Sequence, residues 1–235
     1  MATFFITGTD TDVGKTLVTR ALLQGLSAEG LACAGYKPVS AGCESTPEGL
    51  RNRDALLLQQ AASVALPYEW VNPFAYAPPI APHIAATQAG QPIDEAGITA
   101  GLRRLEGSGA DWVLVEGAGG WHLPLNEHRL LSDWVAQQRL PVVLVVGAKL
   151  GCLNHALLTL AAIEQAGLSL AGWVMNRLPC GMSCYEENLA TLRQRLPAPL
   201  LGEIPTLSDP DSANLREYIN ISLLRRARYS GSIHR

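Results

Sequence analysis

Six short apolar runs recur along the chain with longer amphipathic segments between them: Thr3-Thr7, Ala32-Tyr36, Trp112-Val115, Val142-Val146, Leu170-Met175 and Leu200-Ile204. Near-continuous apolar character over so short a length, without polar alternation, predicts strands covered on both faces. The segments Lys15-Ala28, Arg53-Ser63, Ala96-Leu105, Ser132-Gln138, Asn154-Ala166 and Tyr185-Leu196 predict helices, with a further helical piece around Ala213-Leu224. Strand and helix alternate, so the pattern predicts an α/β fold: a doubly wound, mostly parallel sheet with helices on both faces. The proline-rich stretch Pro67-Pro82 reads as a loop, since core-forming sequence continues on either side of it. We find no internal repeat, and 235 residues suit a single domain.

In such a sheet ligands gather beyond the carboxyl ends of the strands. Here those positions are polar or glycine-rich: Gly8-Thr16, Lys37-Pro38, Glu116-Gly120, Gly147-Cys152 and Asn176-Arg177. A formal charge of -3 gives no electrostatic reason to bind nucleic acid or an anionic membrane. No apolar run approaches the roughly 20 residues of a membrane span, and no basic segment precedes a secretory core. The expectation is a soluble cytoplasmic protein whose partners are small molecules or a second copy of itself. Five scattered cysteines fit a reducing compartment, and the nearest pair, Cys180 and Cys184, has no neighbouring His or second pair to complete a zinc site.

The first apolar run delivers Gly8-Thr9-Asp10-Thr11-Asp12-Val13-Gly14-Lys15-Thr16 to the first helix. A loop of this kind aims backbone N–H groups and a helix N-terminus at anionic oxygens, with a lysine for the terminal phosphates and a hydroxyl for Mg²⁺. A nucleoside triphosphate is the expected guest. Five residues rather than the usual four separate Gly8 from Gly14, and Thr9 stands where the first glycine would be. Glu116 ends an apolar run, where it is either a solvated acid or a carboxylate near Mg²⁺, and the phosphate loop favours the second. Lys37 either points to water or neutralises charge during phosphoryl transfer. Asp54 is either a first-turn acid favoured by the helix dipole or a second metal carboxylate. Asp12 is a candidate proton acceptor, and His83 reads as a helix-start residue.

Together with that loop, Gly35-Tyr36-Lys37-Pro38-Val39, Thr46-Pro47-Glu48-Gly49-Leu50-Arg51-Asn52, Asp54-Ala55, Pro82-His83-Ile84, Val115-Glu116-Gly117-Ala118-Gly119-Gly120-Trp121 and the segment from Val145 to Ala156 strongly resemble the dethiobiotin synthetase family of P-loop NTPases. The likeness continues through Pro197-Ala198-Pro199-Leu200-Leu201-Gly202-Glu203-Ile204-Pro205 and so covers nearly the whole chain. It implies an ATP- and Mg²⁺-dependent ligase that joins CO₂ to 7,8-diaminononanoate and closes the ring of dethiobiotin, releasing ADP and phosphate. A carbamate and a carbamic-phosphoric anhydride are the implied intermediates.

By the same resemblance Lys37, Lys15 and Thr11 are the catalytic candidates, and Thr16, Asp54 and Glu116 the metal ligands. Nucleotide contacts are implied for Asp12, Val13, Gly14, Lys15, Thr16, Leu17, Asp54, Glu116, Gly117, Ala118 and Gly119, with the base near Asn176, Arg177, Ile204, Pro205 and Thr206. The diamine is implied to meet Thr11, Lys37, Ser40, Ala41, Gly151, Cys152, Asn154 and Tyr185, its tail read across a homodimer interface. The chain departs from the family pattern at Asp12 (more often Glu), at Ser40-Ala41 (the hydroxyl one residue early), at Arg177 (often an acid), at Asn188 (commonly Tyr) and at Thr206 (often aromatic). The departures leave in view a related ATP-dependent ligase with a shifted acceptor, and fold analogy leaves a second alternative, a partition-type switch ATPase. The second is disfavoured because Thr9 and Asp10 stand where such proteins carry an early signature lysine.

Overall fold

The structure, a computed structural model, describes residues 1–230. In chain order its elements are β1 (Ala2–Gly8), α1 (Lys15–Ala28), β2 (Cys33–Tyr36), β3 (Val39–Ser40), β4 (Glu44–Thr46), β5 (Gly49–Arg51), α2 (Arg53–Ala61), α3 (Tyr68–Val71), β6 (Phe74–Ala75) and α4 (Pro82–Ala89). There follow α5 (Glu95–Glu106), β7 (Trp112–Glu116), α6 (Leu131–Gln137), β8 (Val142–Ala148), α7 (Cys152–Gln165), β9 (Leu170–Arg177), α8 (Tyr185–Arg195), β10 (Leu200–Ile204) and α9 (Ile221–Ser230). All six apolar runs become strands of one parallel sheet, ordered β10-β9-β8-β1-β7-β2.

Alternation along β1 explains why the sheet needs helices on both sides. Phe4 and Ile6 enter one apolar cluster with Val18, Leu22 and Leu26 of α1, while Phe5 enters another with Ile98 and Leu102 of α5 and Trp134 of α6. A third cluster packs β8 and β9 against α7 and α8 through Trp173, Met175, Leu160 and Leu192. Each fully buried large apolar side chain contributes about 1.5–3 kcal/mol, so both faces are strongly committed. β1 lies between β7 and β8, and the loop leaving its carboxyl end is therefore central to the sheet.

Two expectations need correction. The stretch 67–82 holds α3, β6 and the start of α4, and β6 pairs with β3 in register Val39↔Phe74 and Ser40↔Ala75. Proline spacing marks its turns but not these short pieces. Around 213–224 the expected helix is interrupted: a single 3₁₀ turn (Arg216–Tyr218) precedes an extended step, and α9 starts only at Ile221. There Ile219 bridges Gly202 and Asn220 N–H donates to the Leu201 carbonyl at 2.7 Å, so pairing with the edge strand overrides helical propensity.

Tyr36 shows how tightly the sheet and α5 interlock. Its hydroxyl donates to the Ile98 carbonyl at 2.9 Å, and a Cβ on Gly101 would lie 2.3 Å from that oxygen. Gly101→Ala should therefore destabilise by about 1–3 kcal/mol despite the higher helix propensity of alanine, and adding Tyr36→Phe should recover part of the loss. Urea denaturation checks both; a stabilised Gly101→Ala variant would contradict this packing.

Candidate active site

Backbone conformation shapes the phosphate loop before any side chain acts. Asp12 and Gly14 have φ of +57° and +93°, and a Cβ at Gly14 would meet Asn176 Nδ2 at 2.2 Å. A Cβ on Gly8 would strike Val13 at 2.6 Å. Both glycines are thus fixed by close approach. Gly14 offers α1 no side-chain cap, and the first helical hydrogen bond runs from Val18 to Gly14, so the N–H groups of Lys15, Thr16 and Leu17 precede the helical ladder. They supply the positive end of α1 to an anion. Lys15 is buried and folds back, donating from Nζ to the Asp10 carbonyl at 3.1 Å. Burial holds its pKa below the ordinary lysine value, an effect the nearby Glu116 opposes.

Strand register assembles the charges beside this loop. Ile6 pairs with Glu116 and Tyr36 with Val115, so Lys37, one step beyond β2, lies beside Glu116 at the end of β7. Lys37 Nζ is 2.7 Å from Glu116 Oε1 and 3.1 Å from Asp54 Oδ2. Thr16 Oγ1 donates to the same Glu116 oxygen at 2.8 Å. Glu116 is 0% exposed and Lys37 only 4%, whereas Asp54 is half-buried. Burial disfavours the Lys37 charge, but Glu116 and Asp54 outweigh it and hold the ammonium well above the usual lysine range. Burial likewise opposes the Asp54 charge, and Lys37 and Thr16 outweigh it, keeping the carboxyl below its ordinary value.

The second oxygen of Glu116 is buried with no hydrogen-bond partner among the described residues. With the Thr16 hydroxyl and Asp54 it makes a set of hard oxygen donors suited to a divalent cation. Gly117, Ala118 and Gly119 follow directly, and Gly119 (φ +62°) faces Thr11: a Cβ there would lie 3.8 Å from the Thr11 hydroxyl. The geometry provides a phosphate loop, two buried lysines and a carboxylate pair in one place.

A family model described as an AAA domain matches residues 2–214. An ATP-dependent dethiobiotin synthetase of Aeromonas hydrophila is 64% identical over 221 residues, spanning 94% of this chain and 98% of that protein. Its counterpart in Escherichia coli K12 is 54% identical over 222 residues, again with 94% and 98% coverage. The chain belongs to the dethiobiotin synthetase family. Among solved structures, the MinC:MinD cell division complex of Aquifex aeolicus superposes with a TM-score of 0.57 at 16% identity, covering 99% of this chain and 96% of that one. A ParA family ATPase of Chlorobium tepidum gives 0.54 at 13%, covering 100% and 99%. At such identities the likeness is one of fold, that of P-loop NTPases.

The other residues that the family resemblance singled out fall into two groups. On one side Asn176 donates from Nδ2 to the Val13 carbonyl at 2.9 Å, and its Oδ1 is buried with no partner among the described residues. Ile204 pairs with Asn176 across β10 and β9, and the Thr206 hydroxyl donates to the Arg177 carbonyl at 3.3 Å, so Asn176, Arg177 and the 204–206 turn lie together. Tyr185 belongs to this side as well: Arg177 stacks over its ring at 3.7 Å and its hydroxyl donates to Glu203 at 2.8 Å. These contacts tie it to Arg177 and Glu203 rather than to the Lys37 cluster.

On the other side Gly151 (φ +94°) opens α7 without a side-chain cap, Asn154 is exposed, and Cys152 is buried with its Sγ 3.7 Å from Met182 Sδ. Ser40 turns its hydroxyl inward to Asn72 Oδ1 at 2.8 Å, so this chain's early hydroxyl serves the interior, while the Ala41 carbonyl accepts from Asn52 at 3.4 Å. Sequence reading passed over two features. Lys149 pairs with Asp10 at 2.6 Å, tying the β8–α7 loop to the phosphate loop and holding the Asp10 carboxyl below its usual pKa. Asn52, which ends one of the family motifs, forms with Tyr68 and Asn72, which lie outside them, a buried polar group behind Lys37.

The ionic cluster has a pH signature. Asp54, its pKa lowered, contributes stability at neutral pH that is lost as pH falls below about 3.9 and through its folded value; Lys37, its pKa raised, contributes below about 10.4 and loses that contribution as pH rises through its folded value. The stability difference between the parent and Asp54→Asn should therefore shrink as pH falls through the acidic range. Urea midpoints measured against pH decide this, and a constant difference would contradict the pairing.

Proposed function

We propose that the chain is an ATP-dependent carbon–nitrogen ligase that carboxylates the vicinal diamine 7,8-diaminononanoate with CO₂ and closes the ring of dethiobiotin, releasing ADP and phosphate, in biotin synthesis. The observation that carries the reading is the buried Lys37 held between Glu116 and Asp54 at the mouth of the phosphate loop, in a chain up to 64% identical to proteins named for this reaction. One amine takes up CO₂ as a carbamate, the carbamate oxygen takes the γ-phosphoryl group, and the second amine displaces phosphate from the mixed anhydride. Two anions must approach each other in that sequence, which bare water would oppose. Lys15 and Lys37 supply fixed positive charge where they meet, with little reorganisation because both side chains are already desolvated.

Mg²⁺ fits the donor set: Thr16, Asp54 and Glu116 would hold it, and the unpartnered Glu116 oxygen is available. When bound it would neutralise phosphate charge. Thr11, exposed on the phosphate loop opposite Gly119, faces the place between nucleotide and diamine, and Asp12 offers a carboxylate to an ammonium there. The unpartnered Asn176 oxygen can accept from the exocyclic amine of adenine, with Arg177, Pro205 and Thr206 around it. The uncapped start of α7 suits the tail carboxylate of the diamine.

The working unit in this reading is a homodimer in the cytoplasm. Leu150, 95% exposed beside Gly151, and the exposed Leu157 and Leu158 of α7 give a second copy an apolar face to cover next to the diamine tail. No helix among the described residues is long and apolar enough to cross a membrane.

Phosphate release should require ATP, Mg²⁺, bicarbonate and the diamine together, and turnover without the diamine would sink the reading. Lys37→Ala should lower product formation by about 10²–10³-fold while ATP affinity changes only a few-fold; equal losses would move Lys37 into the general phosphate site.

A further inference from the structure

Behind the reactive face, a wholly internal chain of hydrogen bonds joins the two segments that carry Lys37 and Asp54. It starts at Asn52, the N-cap of α2, whose side-chain oxygen accepts from Ala55 N–H at 3.2 Å and so fixes the turn that bears Asp54. The backbone N–H of Asn52 donates to the Tyr68 hydroxyl at 2.7 Å. That hydroxyl donates to Asn72 Oδ1 at 2.9 Å, and Asn72 Nδ2 donates to the Lys37 carbonyl at 2.7 Å. Ser40 supplies a second donor to Asn72 Oδ1, and Lys37 N–H donates to the Val71 carbonyl at 2.8 Å.

Directions in this chain are forced. A backbone N–H can only donate, so the Tyr68 hydroxyl must accept from Asn52 and give its single proton to Asn72. The Asn72 oxygen is thereby set toward Tyr68 and Ser40, and its amide toward Lys37. Asn52, Tyr68, Asn72 and Ser40 are all buried, so water does not compete for these bonds. Lys37 needs such a hold because β2 ends at Tyr36 and the next residue, Pro38, has no N–H to give.

We propose that Asn72 and the Tyr68 hydroxyl are positioning residues that lock the Lys37 backbone and the start of α2 into one relative geometry, and so set the approach of Lys37 to Asp54 and Glu116. The proposal rests on the roles given to Lys37 and Asp54 above. Lys37 has four rotatable bonds to its ammonium, so fixing the ammonium at 2.7 and 3.1 Å from two carboxylates on different elements requires that its Cα and both partner segments be fixed. Asn72 holds the first directly and, through Tyr68, the segment of Asp54.

Tyr68→Phe is the primary test, because it keeps the ring and its stacking under Arg51 at 4.3 Å while deleting only the relay hydroxyl. It should lower kcat at least about tenfold, leave KM for ATP within about twofold, and raise several-fold the Mg²⁺ concentration that half-saturates binding of a fluorescent ATP analogue, a readout independent of turnover. Asn72→Asp, which still accepts from Tyr68 and Ser40 but cannot donate to the Lys37 carbonyl, should reproduce the kcat loss. A Tyr68→Phe protein that melts at a lower temperature but keeps parental kcat and Mg²⁺ dependence would show a purely structural role and overturn the proposal. Lys37→Ala and Asp54→Ala assayed in parallel separate the two levels: if they too leave product formation intact, the functional reading falls with the relay; if they abolish it while Tyr68→Phe does nothing, the relay alone is overturned.

Discussion

A lysine and a glutamate buried together at the end of a parallel sheet are the constraint around which the rest of this structure is arranged. Moving Lys37 and Glu116 out of water costs several kcal/mol per ion, and their attraction offsets that cost only with good geometry and further polar partners. The partners are present: Thr16 on one side, Asp54 on the other, and a clamp of backbone bonds behind. Removing Glu116 alone would leave Lys37 buried with only the half-buried Asp54 to meet it. A core optimised for stability would place apolar residues here, so the pair is readily understood as a cost of function.

The sheet makes this arrangement possible by topology alone. Placing β1 between β7 and β8 brings the phosphate loop, Glu116 and the Gly147 region to one edge, and β2 beyond β7 adds Lys37. Glycine then provides room where the chain passes closest: Gly147 lies against Val13, where a Cβ would come within 2.9 Å, and Gly14 lies against Asn176. These close approaches, with the Asn176 amide donating to the Val13 carbonyl at 2.9 Å, seat the phosphate loop against β8 and β9. Within the long loop between Gly8 and Gly14, Asp10 pairs with Lys149 of the β8–α7 connection.

Much of this was legible in the sequence because the signals were local. Continuous apolar runs marked all six strands of the main sheet, since strands covered on both faces leave no polar alternation, and the Gly-Lys-Thr turn marked the start of α1. The convergence of Lys37, Asp54 and Glu116 was legible too, once the family pattern singled them out, Lys37 and Glu116 at neighbouring strand ends and Asp54 in the first turn of α2. What escaped was held by contacts distant in sequence. The hairpin Glu44–Thr46 with Gly49–Arg51 and the β3–β6 pair are too short to carry a period. The break before α9 depends on an edge strand it reaches only in the fold. Tyr68 and Asn72 looked like ordinary residues of a proline-rich loop, and their role emerges only when that loop is found to close behind Lys37. Ser40 is instructive in the same way: the family resemblance implied a diamine contact, whereas its buried hydroxyl donates to Asn72.

The central claim is that the buried Glu116 carboxylate serves both Lys37 and a metal-bound triphosphate. Calorimetric titration of ATP, with and without Mg²⁺, into the parent and Glu116→Gln proteins tests it most directly, because glutamine keeps the shape and the Thr16 acceptor but removes the charge. The account predicts that Mg²⁺ strengthens ATP binding to the parent and that this strengthening is largely lost in the variant while metal-free affinity is preserved. Equal strengthening in both proteins would contradict it.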